Sequence, residues 1–278
     1  MKEEFYYVWI RFFRSIGFNE LNKIYKKLNI TTLKELYDYP EINNYTKRFL
    51  DEEIKEKAKK MYNRILKENI KIITINDYNY PKKLRKIYSP PLVLFIKGNY
   101  KILNKKMIGM VGSRECTDYG KKTAYKFAEK LAKKYIIISG LARGIDSYSH
   151  KGAIYNYKES TVAVIGTGLN ICYPRENIYL EEKILENGGC IVTEFLLDEE
   201  PNRWNFPMRN RIVAGMCDKL VVIEARKKSG ALITVDMALE NGKEVYAVPG
   251  NINSKYSIGT NELIKEGCIV LNKIDSLM

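Results

Sequence analysis

The 278-residue chain has a single histidine, His150, and five cysteines at 116, 172, 190, 217 and 268. No two cysteines are close enough in sequence to form a metal knuckle or a redox pair, and an odd number argues against a disulfide framework. One histidine cannot furnish a Cys/His zinc site, and a nucleophilic triad would rest on His150 alone. No metal, cofactor or catalytic residue is therefore expected. Long apolar runs are also missing, since none approaches the ~20 residues of a membrane span. Two acids precede the short apolar run of Met1–Phe13 and an arginine follows at once, which is not the layout of a signal peptide. A cytoplasmic protein with no membrane partner is expected. Arginine is scarce too, with 12 against 35 lysines.

Positive charge is plentiful, with a net +14. Clustered Lys and Arg attract polyanions, but a chain rich in Lys, Asn, Ile and Tyr together acquires such a charge from composition alone. Residues 1–100 carry a net +9 (21 basic, 12 acidic) and residues 101–278 a net +5 (26 and 21). The excess is spread along the chain, so bulk charge decides little.

Residues 1–75 read as helices. Phe5–Phe13 is apolar and aromatic, and Leu21, Ile24, Tyr25 and Leu28 recur at helical spacing. Thr31-Thr32 can cap a helix anchored by Leu33 and Leu36. Ile54, Ala58, Met61 and Ile65 share a face of a charged helix over 51–68. Residues 76–105, punctuated by Tyr80-Pro81, Pro90-Pro91 and Gly98-Asn99, read as a connector and the start of an extended Rossmann fold, with a short edge strand at Leu92–Ile96. Lys82, Lys83, Arg85 and Lys86 there form either a basic patch for a duplex or a solvated turn. From Lys106 onward short apolar strands alternate with amphipathic helices: Met107–Val111, Ile136–Ser139, Thr161–Ile165, Cys190–Thr193, Leu220–Glu224, Glu244–Val248 and Cys268–Leu271. This pattern predicts an α/β fold over 106–278, with a doubly wound, Rossmann-like parallel sheet preceded by a small α-helical domain. Ligands of such sheets bind beyond the carboxyl ends of the strands.

Several of the scarce arginines fall in those loops. Gly112-Ser113-Arg114 lies between a strand and a helix start, where glycine admits an anion and backbone N–H groups can meet it. Arg143 follows the second strand, Arg209 and Arg211 follow Pro207, and Arg226 precedes Lys228-Ser229-Gly230. Arginine binds phosphate in a bidentate fork that lysine cannot reproduce. Structural carboxylate pairing is the competing use of Arg114 and Arg143. Ser229 reads equally as a helix cap, while Lys228 lies at the positive end of the helix dipole, a conflict that a bound anion resolves. Asp146 reads as a helix N-cap and His150 as a packing histidine. The first turn lacks the G-x-G-x-x-G of dinucleotide sites.

Taken together, Ile108–Arg114, Ser139–Asp146, Phe206–Gly215, Ser229–Thr234, Ala247–Gly250 and Ser257–Ile264 resemble, in order, the DprA/Smf family. The match runs from about 80 to 271. The resemblance implies a non-enzymatic single-stranded DNA-binding recombination mediator. Such a protein protects incoming strands in natural transformation or DNA processing, loads the RecA recombinase and forms a homodimer through the Rossmann-like domain. It also implies DNA contacts at Ser113, Arg114, Arg143, Arg209, Asn210, Arg211, Lys228, Ser229 and Gly230, Asn210 on this ground alone, and the loop chemistry adds Gly112. The N-terminal helices fit the SAM-like or helix-hairpin-helix module of many members. Many continue into a winged helix; with the sequence stopping at Met278, none is expected here. Asn170 and Cys217 stand where members often have Asp and Ser. The alternative reading is a nucleotide-processing Rossmann-like phosphoribohydrolase of the LOG kind. It rests on Pro249-Gly250 and Gly259-Thr260-Asn261-Glu262, which loosely echo that family's P-G-G-x-G-T-x-x-E loop, although nine residues separate the two halves.

Overall fold

The computed structural model describes residues 1–41 and 46–277. Four helices come first: α1 (Glu3–Ile10), α2 (Phe18–Leu28), α3 (Leu33–Tyr37) and α4 (Glu52–Lys67). All six residues from Phe5 to Ile10 are buried, so α1 is the hub of this part. Its rings meet Tyr37, Tyr62 and Phe49 edge-on, at centroid separations of 5.1–6.3 Å. Each such pair contributes about 1 kcal/mol beyond the area it buries. Thr32 caps α3, accepting a hydrogen bond from the Glu35 amide at 3.2 Å.

The helical region ends earlier than its apolar spacing implies. Strand β1 (Lys71–Thr74) pairs antiparallel with β2 (Val93–Gly98), and β2 pairs antiparallel with β6 (Cys190–Thr193). The expected edge strand is therefore interior, the edge is β1, and the connector is a sheet extension. A strand that follows directly on a helix, and whose one partner strand lies across a long loop, leaves little local signal. Lys83 in this stretch pairs with Asp218 at 2.5 Å and Arg85 donates to the Asp77 carbonyl at 2.7 Å. Half of its basic patch is thus spent on structure.

The remaining elements alternate: β3 (Met107–Val111), α5 (Asp118–Leu131), β4 (Ile136–Ser139), α6 (Ile145–Asn156), β5 (Thr161–Val164), α7 (Ile178–Glu186), β6, α8 (Asn205–Met216), β7 (Lys219–Val222), α9 (Gly230–Glu240), β8 (Glu244–Ala247), α10 (Ile258–Lys265) and β9 (Ile269–Val270). Strands β3 to β6 are buried along nearly their whole length, as parallel strands covered by helices must be. The nine-stranded order is β1-β2-β6-β5-β4-β3-β7-β8-β9, parallel from β6 to β9. This is a Rossmann-like sheet with an antiparallel pair added at one edge. The chain winds outward from β3 to β6, then returns to place β7 on the other side of β3. The loops after β3 and β7 therefore part at their carboxyl ends and leave a crevice between them. No described helix is long and apolar enough to cross a membrane.

Candidate functional site

A groove of about 670 Å³ occupies that crevice. One wall is the loop after β3. Gly112 packs so tightly that a Cβ would lie 2.6 Å from Ile145 Cγ1 and 2.8 Å from the Glu224 carbonyl. That close approach is one reason for glycine there. The Ser113 amide donates to the Glu224 carbonyl at 2.8 Å. The Glu224 carboxylate, almost wholly buried, accepts from the Thr117 amide at 2.9 Å and from its hydroxyl at 2.5 Å. Thr117 in turn caps α5. Glu224 thus stitches the β3 loop to the β7 loop, a role no sequence pattern announced.

What remains free on this wall faces the groove. The Ser113 hydroxyl is buried, lines the groove and has no hydrogen-bond partner among the described residues. Arg114 is exposed, lies with its guanidinium 5.1 Å from the Phe206 ring centroid, and has no carboxylate partner among the described residues. The opposite wall is the loop before α9, where Ser229 caps the helix through the Ala231 amide at 3.3 Å. Lys228 beside it is exposed and likewise lacks a carboxylate partner among the described residues. A Cβ on Gly230 would meet nothing within 4 Å, so packing does not demand glycine there. Asn210 lines the groove and donates weakly to the Gly230 carbonyl at 3.4 Å.

The other three arginines named for DNA contact have partners within the protein. Arg209 is 4% exposed, and its Nη1 donates to the Val164 carbonyl at 2.6 Å and to the Gly140 carbonyl. It forms the floor of the groove. Burial lowers its guanidinium to about 10, with Asp146 opposing that shift and Arg114 adding to it. Arg211 projects away from the groove into a two-bond pair with the buried Glu194, at 2.6 and 2.7 Å. Arg143 stands on the rim beside Tyr173 and pairs with Glu176, both side chains being about 60% exposed. So open a pair contributes little and can exchange its carboxylate for a phosphate.

Asp146 is not the N-cap of α6. That position is Gly144, with φ +72°, and Asp146 in the first turn accepts from the amides of Gly140 at 3.2 Å and Ala142 at 3.4 Å. It therefore shapes the β4 loop from beneath. Burial pushes its carboxyl up, while Arg209 and the loop amides pull it back. His150 is fully buried against Thr161, with Nδ1 2.7 Å from Oγ1. Because the Thr161 hydroxyl donates to the Ile137 carbonyl at 2.7 Å, the proton must sit on Nδ1. Nothing about this imidazole suits a base in the groove.

Sequence reasoning missed the aromatic side of the groove. Tyr173 and Phe206 touch at 5.6 Å, and Arg203, exposed and without a carboxylate partner among the described residues, lies 4.7 Å over Trp204. The alternation Arg203-Trp204-Asn205-Phe206 was the available signal. The loops behind the phosphoribohydrolase reading are not in the lining. There Asn261 bonds both the amide and the carbonyl of Gly250, at 3.2 and 3.1 Å, and Thr260 donates to the Ser257 carbonyl. No group of three or more potential metal ligands occurs among the described residues.

Fold and site together define a Rossmann-like α/β protein with a cationic, aromatic-rimmed groove at the switch point of its sheet. Residues 71–278 match the profile of the DNA recombination-mediator protein A family, and the chain belongs to that family, the DprA/Smf proteins. It is 42% identical over 194 residues to the DNA processing protein DprA of Streptococcus pneumoniae, covering 70% of this chain and 68% of that one. The X-ray structure of DprA from Streptococcus pneumoniae superposes with a TM-score of 0.78 at 34% identity, over 92% of this chain and 89% of the other. DNA processing protein A from Helicobacter pylori, described for its single-stranded DNA binding mode, gives 0.67 at 27% identity, over 74% and 94%. The chain is thus a DNA-recombination and DNA-processing protein.

Proposed function

We propose that the groove binds the phosphate backbone of single-stranded DNA and that the protein acts by binding, as a recombination mediator that loads RecA and works as a homodimer. The observation that carries this reading is Arg114. It is an exposed guanidinium with no carboxylate partner among the described residues, poised over Phe206 beside the orphaned Ser113 hydroxyl. Lys228 and the first amides of α9 face it as a second phosphate contact. Phe206 and Tyr173 offer ring faces on which any base can stack, so recognition is of single strands and tolerant of sequence. Arg209 and Asp146 hold the floor rather than the ligand. Arg143 and Arg203 gather the strand at the rim. The N-terminal helices serve as a SAM-like packing module, since their aromatic core is continuous with that of the sheet.

Fluorescence anisotropy with labelled oligothymidine tests this. Arg114→Ala is expected to weaken binding by about 10–100-fold, the loss of one charge-assisted contact. Its salt dependence should also become shallower, by about 0.7 in log–log slope. Wild-type affinity in both Arg114→Ala and Lys228→Ala would sink the assignment. Gly230→Ala supplies a second reading. Packing leaves room for the methyl, so the melting temperature should hold, whereas a strand lying against the helix start will bind several-fold more weakly.

A further inference from the structure

The groove does not use the helix pair α5–α6, which begins at its rim. Thr117, the cap of α5, lies three residues beyond Arg114, and a Cβ on Gly144, the cap of α6, would meet the Ser113 carbonyl at 2.3 Å. Both helices follow adjacent parallel strands, so they leave the rim side by side and in the same direction. They touch along their length, with Gly152 seated on the Tyr125 carbonyl. The 14 residues of α5 carry this face about 21 Å away from the groove.

The outer face of the pair interleaves cations with rings. Lys122, Lys126 and Lys151 are exposed and have no carboxylate partner among the described residues. Tyr148 and Tyr125 line a hollow of about 280 Å³ together with Lys122 and Lys126. The Lys151 ammonium sits 5.0 Å from the Tyr148 ring, and Tyr125 meets Tyr155 edge-on at 5.7 Å. Tyr155 is 65% exposed. Of the acids on α5, Asp118 is held by Lys121 and Glu129 accepts from Asn156.

A lysine-rich composition alone produces a solvated helix face, and α4 is such a face. There Lys55, Lys57 and Lys59 pair with Glu52, Glu53 and Glu56. On α5 only Lys121 is so paired among the described residues. Composition supplies lysines and tyrosines, but not their placement against one another on a single face with the lysines left without carboxylates. Rings between cations suit unstacked bases on a phosphate backbone, which a duplex would hide.

We propose that the outer face of α5 and α6 is a second nucleic-acid contact, over which a single strand is carried as it leaves the groove. The proposal rests on the single-strand reading of the groove. Its test compares oligothymidines of about 6 and about 30 nucleotides, the first too short to leave the groove. A Lys122→Ala/Lys126→Ala/Lys151→Ala variant is expected to bind the short strand like wild type. It should bind the long one about tenfold more weakly, with the log–log salt slope reduced by about 2. Tyr155→Ala should weaken only the long strand, with the slope unchanged. If the triple variant keeps wild-type affinity and slope on the long strand while Arg114→Ala weakens both, this face is solvated surface and the groove reading stands alone. If Arg114→Ala weakens neither length, the groove reading falls, and the path from it falls too. Equal loss on both lengths in the triple variant overturns the proposal, because the lysines would then act in the groove or on the fold. So does loss of binding to acidic phospholipid vesicles with long-strand affinity intact, which assigns the face to a membrane.

Discussion

Gly140→Ala is expected to destabilise the protein by about 3 kcal/mol and to weaken single-strand binding at the same time. An alanine Cβ at this position would run into the Arg209 guanidinium. The guanidinium is hemmed in on every side but the groove, so it can yield only into the groove, and in doing so it must leave the Gly140 and Val164 carbonyls that it bridges. Two buried acceptors then lose a charged donor, and Asp146 loses the cation that offsets its burial. The β4 loop, held from below by Asp146, loses its shape, and the groove loses its floor. Urea denaturation should show a lower midpoint with an unchanged slope. The mechanism makes a stricter demand on the double variant. In an Arg209→Leu background the clash is gone, so Gly140→Ala should cost much less than it does alone. Strictly additive losses would mean that the two residues do not act through one another.

The second large effect is acid sensitivity centred on His150. Burial, aided by Arg209, lowers this imidazole from 6.5 to about 3. Below pH 6.5 the unfolded chain therefore takes up a proton that the folded state refuses. Stability is full above that pH and falls as the pH drops towards 3, at up to about 1.4 kcal/mol per pH unit. The raised carboxyl of Asp146 works in the opposite sense, since its folded form binds a proton that the unfolded chain has released. The contribution of His150 is thus read from a difference: the pH profile of wild type minus that of His150→Gln should carry the full slope between about pH 6 and 4. Because the chain has one histidine, its imidazole resonances are directly assignable. They should not titrate between pH 8 and 5, and a midpoint near 6.5 would refute the buried, neutral assignment.

The parallel strands were legible because burial on both faces writes them as uninterrupted apolar runs. Met107–Val111 and Cys190–Thr193 sit where those runs place them. Strand β1 was not, since Lys71–Thr74 follows directly on a helical pattern whose apolar spacing it continues. Within the site, the loops were legible and the use of each cation was not. Phe206–Arg211 names two arginines as equals, yet residues two apart on a helix point to different sides. That spacing was the overlooked signal: Arg209 turns under the sheet edge, while Arg211 turns to Glu194. Ser113 and Gly230 carry no pattern that separates contact from packing. Only the empty space at Gly230 and the missing partner at Ser113 do so.

The return of the chain to β3 has a consequence for biosynthesis. Ile108 pairs with Lys219, 111 residues later, and the second wall of the groove follows β7. Contacts so distant in sequence form late. A chain emerging from the ribosome completes β3 to β6 with half of the groove absent, and it acquires the Lys228 wall only once α9 has been translated and docked. On the reading proposed for the groove, the nascent chain therefore lacks the Lys228 contact until most of it has been made, and a chain truncated before α9 would offer a single strand only the Arg114 wall.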